Sequence, residues 1–475
     1  RVARKAPEAL PEVWYSAAAV IWLVLAHIVG NIPGLTGYAS QLQSSFYRSS
    51  LIGLWLATAT VAVVYYAIPR LGGRPPLRAT RLSVLGIWSL GFIWAMTAPA
   101  ELTFGAAGDW LETIGVIFSI VLFLPIIVIA TDLTHAMRGA WHNVRDRAGL
   151  RFIMAGLAMI AIYAVFNLLQ ALRASAAVVG FTDWVAAQEI LILFGPFTFV
   201  LIGFFRLSTT EQSERYPATG LRGYRIALGG VSLTVAAMAV AGVQTGFTWA
   251  GAANSAEFTN FGSGWVSTAG PLEGNYMVQL VGLALLAVGL GLAVRSALGG
   301  GSDSLAAPAG PAIETEPDLV LADPPPLQKV RRYAYGFFVL AALLVLVLPA
   351  LESEEPTLLA ESRDYRPGAV ATGRTIYVQE GCAYCHTQQV RPIITDVGLG
   401  SVSVLGDYAQ ETPALIGVQR YGPDLTHIAD RADAAAVAAH LKAPRSERPW
   451  STMPSYDYLS GDDLAALAEY LVGEE

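Results

Sequence analysis

The chain has 475 residues, of which 54% are hydrophobic and only 14% charged, with a formal net charge of −7. That balance excludes an ordinary soluble globular protein, and a net acidic chain of this kind excludes nucleic acid as a partner. Apolar runs of about twenty residues, the length needed to cross a bilayer, recur along the first three quarters.

Nine such runs are predicted to span: 13–33, 46–68, 82–100, 110–131, 151–172, 184–206, 223–247, 276–297 and 333–350. The first does not read as a cleaved signal peptide, because Arg1, Arg4 and Lys5 precede a segment long enough to span. Alternating ends of the runs carry Arg1, Arg4 and Lys5, then Arg70 to Arg81, Arg138 to Arg151, Arg206 to Arg225, and Arg295 to Arg332. The opposite loops of the helical part carry only Arg48 and Arg173. The positive-inside bias therefore predicts a multi-pass protein of a bacterial cytoplasmic membrane with its N-terminus in the cytoplasm. An odd number of spans puts everything after residue 350 on the periplasmic or extracellular side.

The chain divides into a polytopic membrane domain at 1–297, a cytoplasmic Gly/Pro-rich linker at 298–332, an anchor helix at 333–350 and an extracytoplasmic domain at 351–475. The expected fold class is all-α: a bundle of about eight membrane helices, one anchor helix and a small helical outer domain. That outer domain carries nine Lys and Arg against nineteen Asp and Glu, a formal charge of −10. Such a surface suits a basic docking partner, and it equally suits solubility alone.

Cys382-Ala-Tyr-Cys385-His386 is a CxxCH motif, and it holds both cysteines of the chain. The spacing matches covalent attachment of a c-type haem, in which two thiols add to the porphyrin and the next imidazole ligates iron. Structural zinc wants four ligands, and there is no second cysteine pair. A redox dithiol belongs on a βαβ unit, and a disulfide across two residues staples nothing.

The outer domain resembles a class I cytochrome c. Residues 367–381 lead into CxxCH, and Leu464, Leu467 and Leu471 form an apolar stripe on a last helix capped by Ser460. In Arg420-Tyr-Gly-Pro-Asp-Leu425 the resemblance makes the Pro423 carbonyl the acceptor of the His386 Nδ1 proton. Met453, the single methionine after residue 350, is the expected sixth iron ligand, with His427 and His440 as rivals.

Three stretches sharpen the resemblance: GRTIYVQEGCAYCHTQQVRP, RYGPDL and HLKAPRSERPWSTMPSY, behind one anchor helix. Residues 327–475 are similar to the mono-haem subunit of C-family (cbb3-type) haem-copper oxidases, including Arg391-Pro392, which adds Arg391 to the expected cofactor-binding residues. Residues 46–297 resemble the later helices of that family's catalytic subunit, through YYAIPR, RLSVLGIWSLGFIWA, DWLETIGVIFSIVL, RGAWHNVR, FTDW and VAGVQTGFTW.

The family's metal ligands are replaced. In ungapped register one copper histidine falls on Ser49, the copper pair on Ala100 and Glu101, and the haem histidines on Gln188 and Ile190. The redox-active tyrosine falls near Ile160. The helical region holds only His27, His135 and His142, too few imidazoles for two haems and a copper. His135 and His142 are expected at a solvated helix end and His27 in internal packing. Glu101 and Glu189 are membrane carboxylates that handle protons or ions, or else sit wetted at helix ends.

The resemblance implies one covalent haem c, no haem b or copper, and no catalytic residue in this chain. The function it implies is a membrane-anchored monohaem electron-transfer subunit of a respiratory complex. That subunit takes electrons from a soluble or membrane cytochrome c, or a copper protein, and passes them to a separate catalytic haem-copper oxidase subunit. A subunit of a nitric oxide reductase complex and an inactive assembly scaffold or redox sensor are the alternatives.

Overall fold

A computed structural model describes residues 10–72, 76–209, 218–252, 263–298, 321, 324–352, 354–362, 368–449 and 451–473. Among these residues the architecture is all-α, and nine helices are long and apolar enough to cross a membrane. In chain order they are α1 (Pro11–Gly30), α2 (Tyr38–Leu71), α3 (Arg81–Leu102), α4 (Asp109–Ala136) and α5 (Ala148–Ala171). A short α6 (Arg173–Val179) precedes α7 (Asp183–Arg206), and the long pair α8 (Ala218–Ala252) and α9 (Ser263–Leu298) packs side by side. The anchor is α10 (Leu327–Ala350).

Three helices start well before their apolar runs, α9 at Ser263 and not at 276. The anchor begins at Leu327 and not at 333, because extended Pro326 leads directly into the helix and the polar turn Leu327–Arg332 hides from hydropathy. Likewise α2 begins at Tyr38 and not at 46. Its first turns, Tyr-Ala-Ser-Gln-Leu-Gln-Ser-Ser, are polar yet bury Tyr38, Ser40, Leu42 and Ser45. Most of the predicted linker lies outside the described residues; Leu321 donates its N–H to Ala79 O at 3.0 Å.

The anchor helix closes a gap among the earliest helices. The Trp22 indole donates to Ala334 O at 2.9 Å, and Trp88 packs edge-on against Tyr333 with centroids 5.2 Å apart. Phe46 meets Phe338 at 5.5 Å. Aromatic contacts of this kind add to the area removed from lipid or water, so the anchor is integral to the bundle.

The outer domain is built on α11 (Ala369–Gln379), α12 (Ala434–Lys442) and α13 (Gly461–Val472). Helices α11 and α13 cross at Gly373, where an added Cβ would lie 1.9 Å from Ala466 O, so no larger residue fits. The Leu464, Leu467 and Leu471 stripe is buried there, and the Ser460 hydroxyl accepts the Asp463 N–H at 3.1 Å. The outer domain is seated on the bundle by hydrogen bonds. Gly37 N–H donates to Glu411 O at 2.6 Å, Ala414 N–H to Ser40 Oγ at 2.8 Å, and Thr395 Oγ1 to Ala177 O at 3.2 Å.

Candidate cofactor crevice and two charged centres

Helix α11 ends at Gln379, and the left-handed Gly381 (φ 69°) turns the chain so that Cys382–Tyr384 form one 3₁₀ turn. His386 follows, buried at 9% exposure, with Nδ1 2.8 Å from Pro423 O. The Gly422 N–H donates to Cys385 O at 2.7 Å, which pins the two segments together. Gly422 has to be glycine, because a Cβ there would sit 2.2 Å from the imidazole Cε1.

A cavity of about 770 Å³ opens beside this turn, within the range of small-molecule and cofactor sites. Cys382, Cys385, His386, Pro423, Met453 and His440 all lie on its wall. Both thiols are free, and burial pushes that of Cys382 up to about 12. Burial also lowers the pKa of His386, against the pull of the Pro423 carbonyl, and so favours the neutral imidazole that ligation requires. With Nδ1 committed to Pro423, Nε2 is the nitrogen left for a metal. Two free thiols, a buried oriented imidazole and a thioether on one cavity fit a covalently attached haem c.

The expected residues are thus brought together except Arg391. His427 is turned away as well, its Nε2 3.0 Å from Ser401 O. Arg391 lies off that wall in a buried ion cluster, Nη2 2.9 Å from Asp396 Oδ1, and borders a separate cavity of about 180 Å³. Arg420, which the motif reading passed over, lines the large cavity and also meets Asp396 at 2.9 Å and Asp424 at 3.3 Å. Thr387 Oγ1 donates to Asp424 Oδ2 at 2.6 Å. Burial alone would raise the carboxyl of Asp396, but the two guanidinium groups outweigh it and hold it well below the usual carboxylate range. The charged letters of RYGPDL carried the signal: Arg420 and Asp424 are opposite charges four residues apart, flanking Gly422-Pro423.

The membrane bundle supplies one wall of the crevice through Phe181, Thr182 and Asp183. Phe181 is left-handed (φ 64°), a conformation that costs a bulky residue about 1–2 kcal/mol. Its ring lies 4.3 Å from the Arg391 guanidinium and 5.2 Å from that of Arg420, and its carbonyl accepts the Arg420 N–H at 2.8 Å. Phe104 is left-handed too (φ 63°), and its carbonyl accepts Gln389 Nε2 at 3.3 Å.

The second charged centre lies where the bundle meets the outer domain, with Arg48 and Glu101 bordering the smaller cavity. Arg48 on α2 reaches Glu101 of α3 at 2.8 Å and Glu189 of α7 at 2.7 Å. Both carboxylates are paired with one guanidinium and stay partly exposed, Glu101 at the end of α3. Arg48 borders Ser49, the position matched to a copper histidine, and just beyond it α2 is π-helical over Ser50–Ala57. This donor set does not fit copper or haem b: a guanidinium stays protonated, offers no lone pair and repels a cation. His27 is exposed, 3.3 Å from the Tyr47 hydroxyl, and not internally packed as expected.

Nine helices long and apolar enough to span, among the described residues, and an outer helical domain with a CxxCH crevice define a membrane-bound cytochrome-like architecture. Residues 2–272 match the family model described as Cytochrome C and Quinol oxidase polypeptide I, more than half of the chain. Residues 332–470 match that described as Cytochrome C oxidase, mono-heme subunit/FixO. The chain belongs to the cytochrome c and quinol oxidase polypeptide I family, with a FixO-type region fused at its C-terminal side.

Among similar proteins is the cytochrome c oxidase subunit 1 homolog, bacteroid, of Bradyrhizobium diazoefficiens. It is 24% identical over 305 residues, 61% of this chain and 55% of that protein. The cbb3-type cytochrome c oxidase subunit CcoN1 of Stutzerimonas stutzeri is 22% identical over 291 residues, 58% of this chain and 60% of that one. The chain thus spans little more than half the length of these relatives. A cryo-EM structure of a heme-copper terminal oxidase dimer shares the fold, with TM-score 0.53 and 14% identity over 73% of this chain and 66% of the other. The resemblance to C-family oxidases seen in the motifs agrees with these matches.

Proposed function

We propose that this chain is the electron-transfer subunit of a cbb3-like respiratory complex, with its outer domain outside the cytoplasm and its chemistry confined to the CxxCH crevice. The observation that carries this reading is the His386–Pro423 contact on a cavity that also presents both thiols and Met453. A haem c bound there supplies one-electron redox chemistry.

The residues around it have separable tasks. Cys382 and Cys385 fix the group in place, Gly422 leaves room for the imidazole, and the Pro423 carbonyl orients it. Met453 offers a soft sulfur, which favours the reduced metal and a high potential. The acidic surface suits a basic donor.

The membrane domain, with Arg48 bound between Glu101 and Glu189 where the family keeps metal, serves as a platform that docks on a separate catalytic haem-copper subunit. Gentle detergent extraction is expected to yield the chain together with such a subunit. Rapid mixing of that complex with a reduced basic cytochrome c should then show the outer haem reduced first and the partner second. The first step should slow as salt rises from about 0.01 M to about 0.2 M, because the Debye length shrinks from about 30 Å to under 10 Å. Isolation as a monomer that itself reduces oxygen or nitric oxide would overturn the proposal.

A further inference from the structure

The segment that orients His386 is held at its other end by the membrane domain. Arg420 begins it, its backbone N–H bonded to Phe181 O at 2.8 Å. Tyr421 follows, on the cavity wall that Asp183 at the head of α7 also lines. Two residues on, the Pro423 carbonyl meets His386 Nδ1 at 2.8 Å, and Gly422 N–H bonds Cys385 O at 2.7 Å. Asp424 then closes the segment by accepting from Thr387, Gln389 N–H and Arg420.

Phe181 is the hinge pin of this arrangement. It borders both cavities, and its ring covers both arginines of the buried cluster. Gly180 beside it has no room for a side chain, since a Cβ would lie 2.6 Å from Arg391 Nη1. The close approach of the two domains is therefore built in at this point.

We infer that Phe181, on the membrane domain, is a positioning residue for the outer redox centre: it sets the Arg420–Pro423 segment and, through the Pro423 carbonyl, the electronic character of the His386 imidazole. A carbonyl partner on Nδ1–H makes the imidazole a stronger donor to a metal on Nε2, which favours the oxidised metal. Slackening that contact raises the reduction potential. The inference rests on haem c attachment at Cys382 and Cys385, and it gives the membrane domain a part in redox tuning besides docking.

Phe104 is a built-in control. It is equally left-handed and its carbonyl also accepts a hydrogen bond from the outer domain, but from the Gln389 side chain and not from the Arg420–Pro423 segment.

The experiment uses the full-length chain in detergent, as wild type, Phe181→Ala, Phe181→Tyr and Phe104→Ala. Redox titration reads the haem potential, and amide hydrogen exchange reads the Arg420 and Gly422 N–H groups. Phe181→Ala is expected to keep the haem attached, raise the potential and speed exchange at both amides at least tenfold. Phe181→Tyr, which keeps the ring, should restore both readings, and Phe104→Ala should leave both at the wild-type values. If Phe181→Ala does not accumulate, Phe181→Leu, which keeps apolar volume without a π face, carries the same expectation. Equal shifts in the Phe104 and Phe181 variants, or no shift in either, overturn the inference. Wild type without covalent haem instead overturns the functional proposal beneath it.

Discussion

The outer crevice and the centre around Arg48 are both polar groups set in apolar surroundings, yet they treat their donor atoms in opposite ways. The crevice leaves an imidazole nitrogen, two thiols and a thioether facing a cavity of about 770 Å³. The bundle centre uses its charges on itself, one guanidinium against two carboxylates at 2.8 and 2.7 Å. On the proposed reading, the bundle keeps the family's fold with an ion network beside Ser49, and the redox chemistry lies in the appended domain. Fold alone does not assign the chemistry; the free donor atoms do.

The sharpest way to break that contrast is to remove a donor from the crevice. Cys382→Ala together with Cys385→Ala should abolish covalent haem altogether, read as loss of haem staining on a denaturing gel, with the membrane bundle still inserted. Retained staining would place the attachment elsewhere. Next in size is Arg420→Met, which leaves Asp424 and part of Asp396 without a buried counter-charge and should cost the outer domain about 3–5 kcal/mol, measured by denaturant unfolding.

The same cluster gives a pH signature. The carboxyl of Asp396 is depressed in the folded state, so its stabilisation is fully present above the ordinary aspartate value of 3.8 and is lost as pH falls below it. Asp396→Asn should remove that acid-limb dependence. An unchanged acid limb would assign it to other carboxylates.

Much of this was legible in the sequence, and the rest was hidden for definite reasons. Hydropathy reports apolar runs, so it located nine candidate spans but missed the polar first turns of α2, buried against partners, and of α10, which are mostly exposed. CxxCH, Pro423 and Met453 are short motifs with fixed chemistry, and they converge on one cavity. Arg48 was visible only as an outer-loop charge. Its partners lie 53 and 141 residues away, and no local pattern links them. Phe181 entered the sequence only as the first letter of FTDW, with no role to read there, because its left-handed backbone and its grip on Arg420 exist only once two domains meet.

A smaller effect probes the bundle centre. Glu101 and Glu189 are a quarter and two-fifths exposed, so Arg48→Ala should cost only about 1–2 kcal/mol. Adding Glu101→Gln and Glu189→Gln to Arg48→Ala should recover most of it, as thermal unfolding of the full chain would show. Failure to recover would mean that Arg48 matters for contacts other than these two.

The contrast between the two centres is tested most directly by the haem and metal content of this chain after separation from its partners. The account predicts one covalently bound haem c per chain, with neither haem b nor copper in stoichiometric amount. A low-spin b-type spectrum, or one copper per chain, would contradict it.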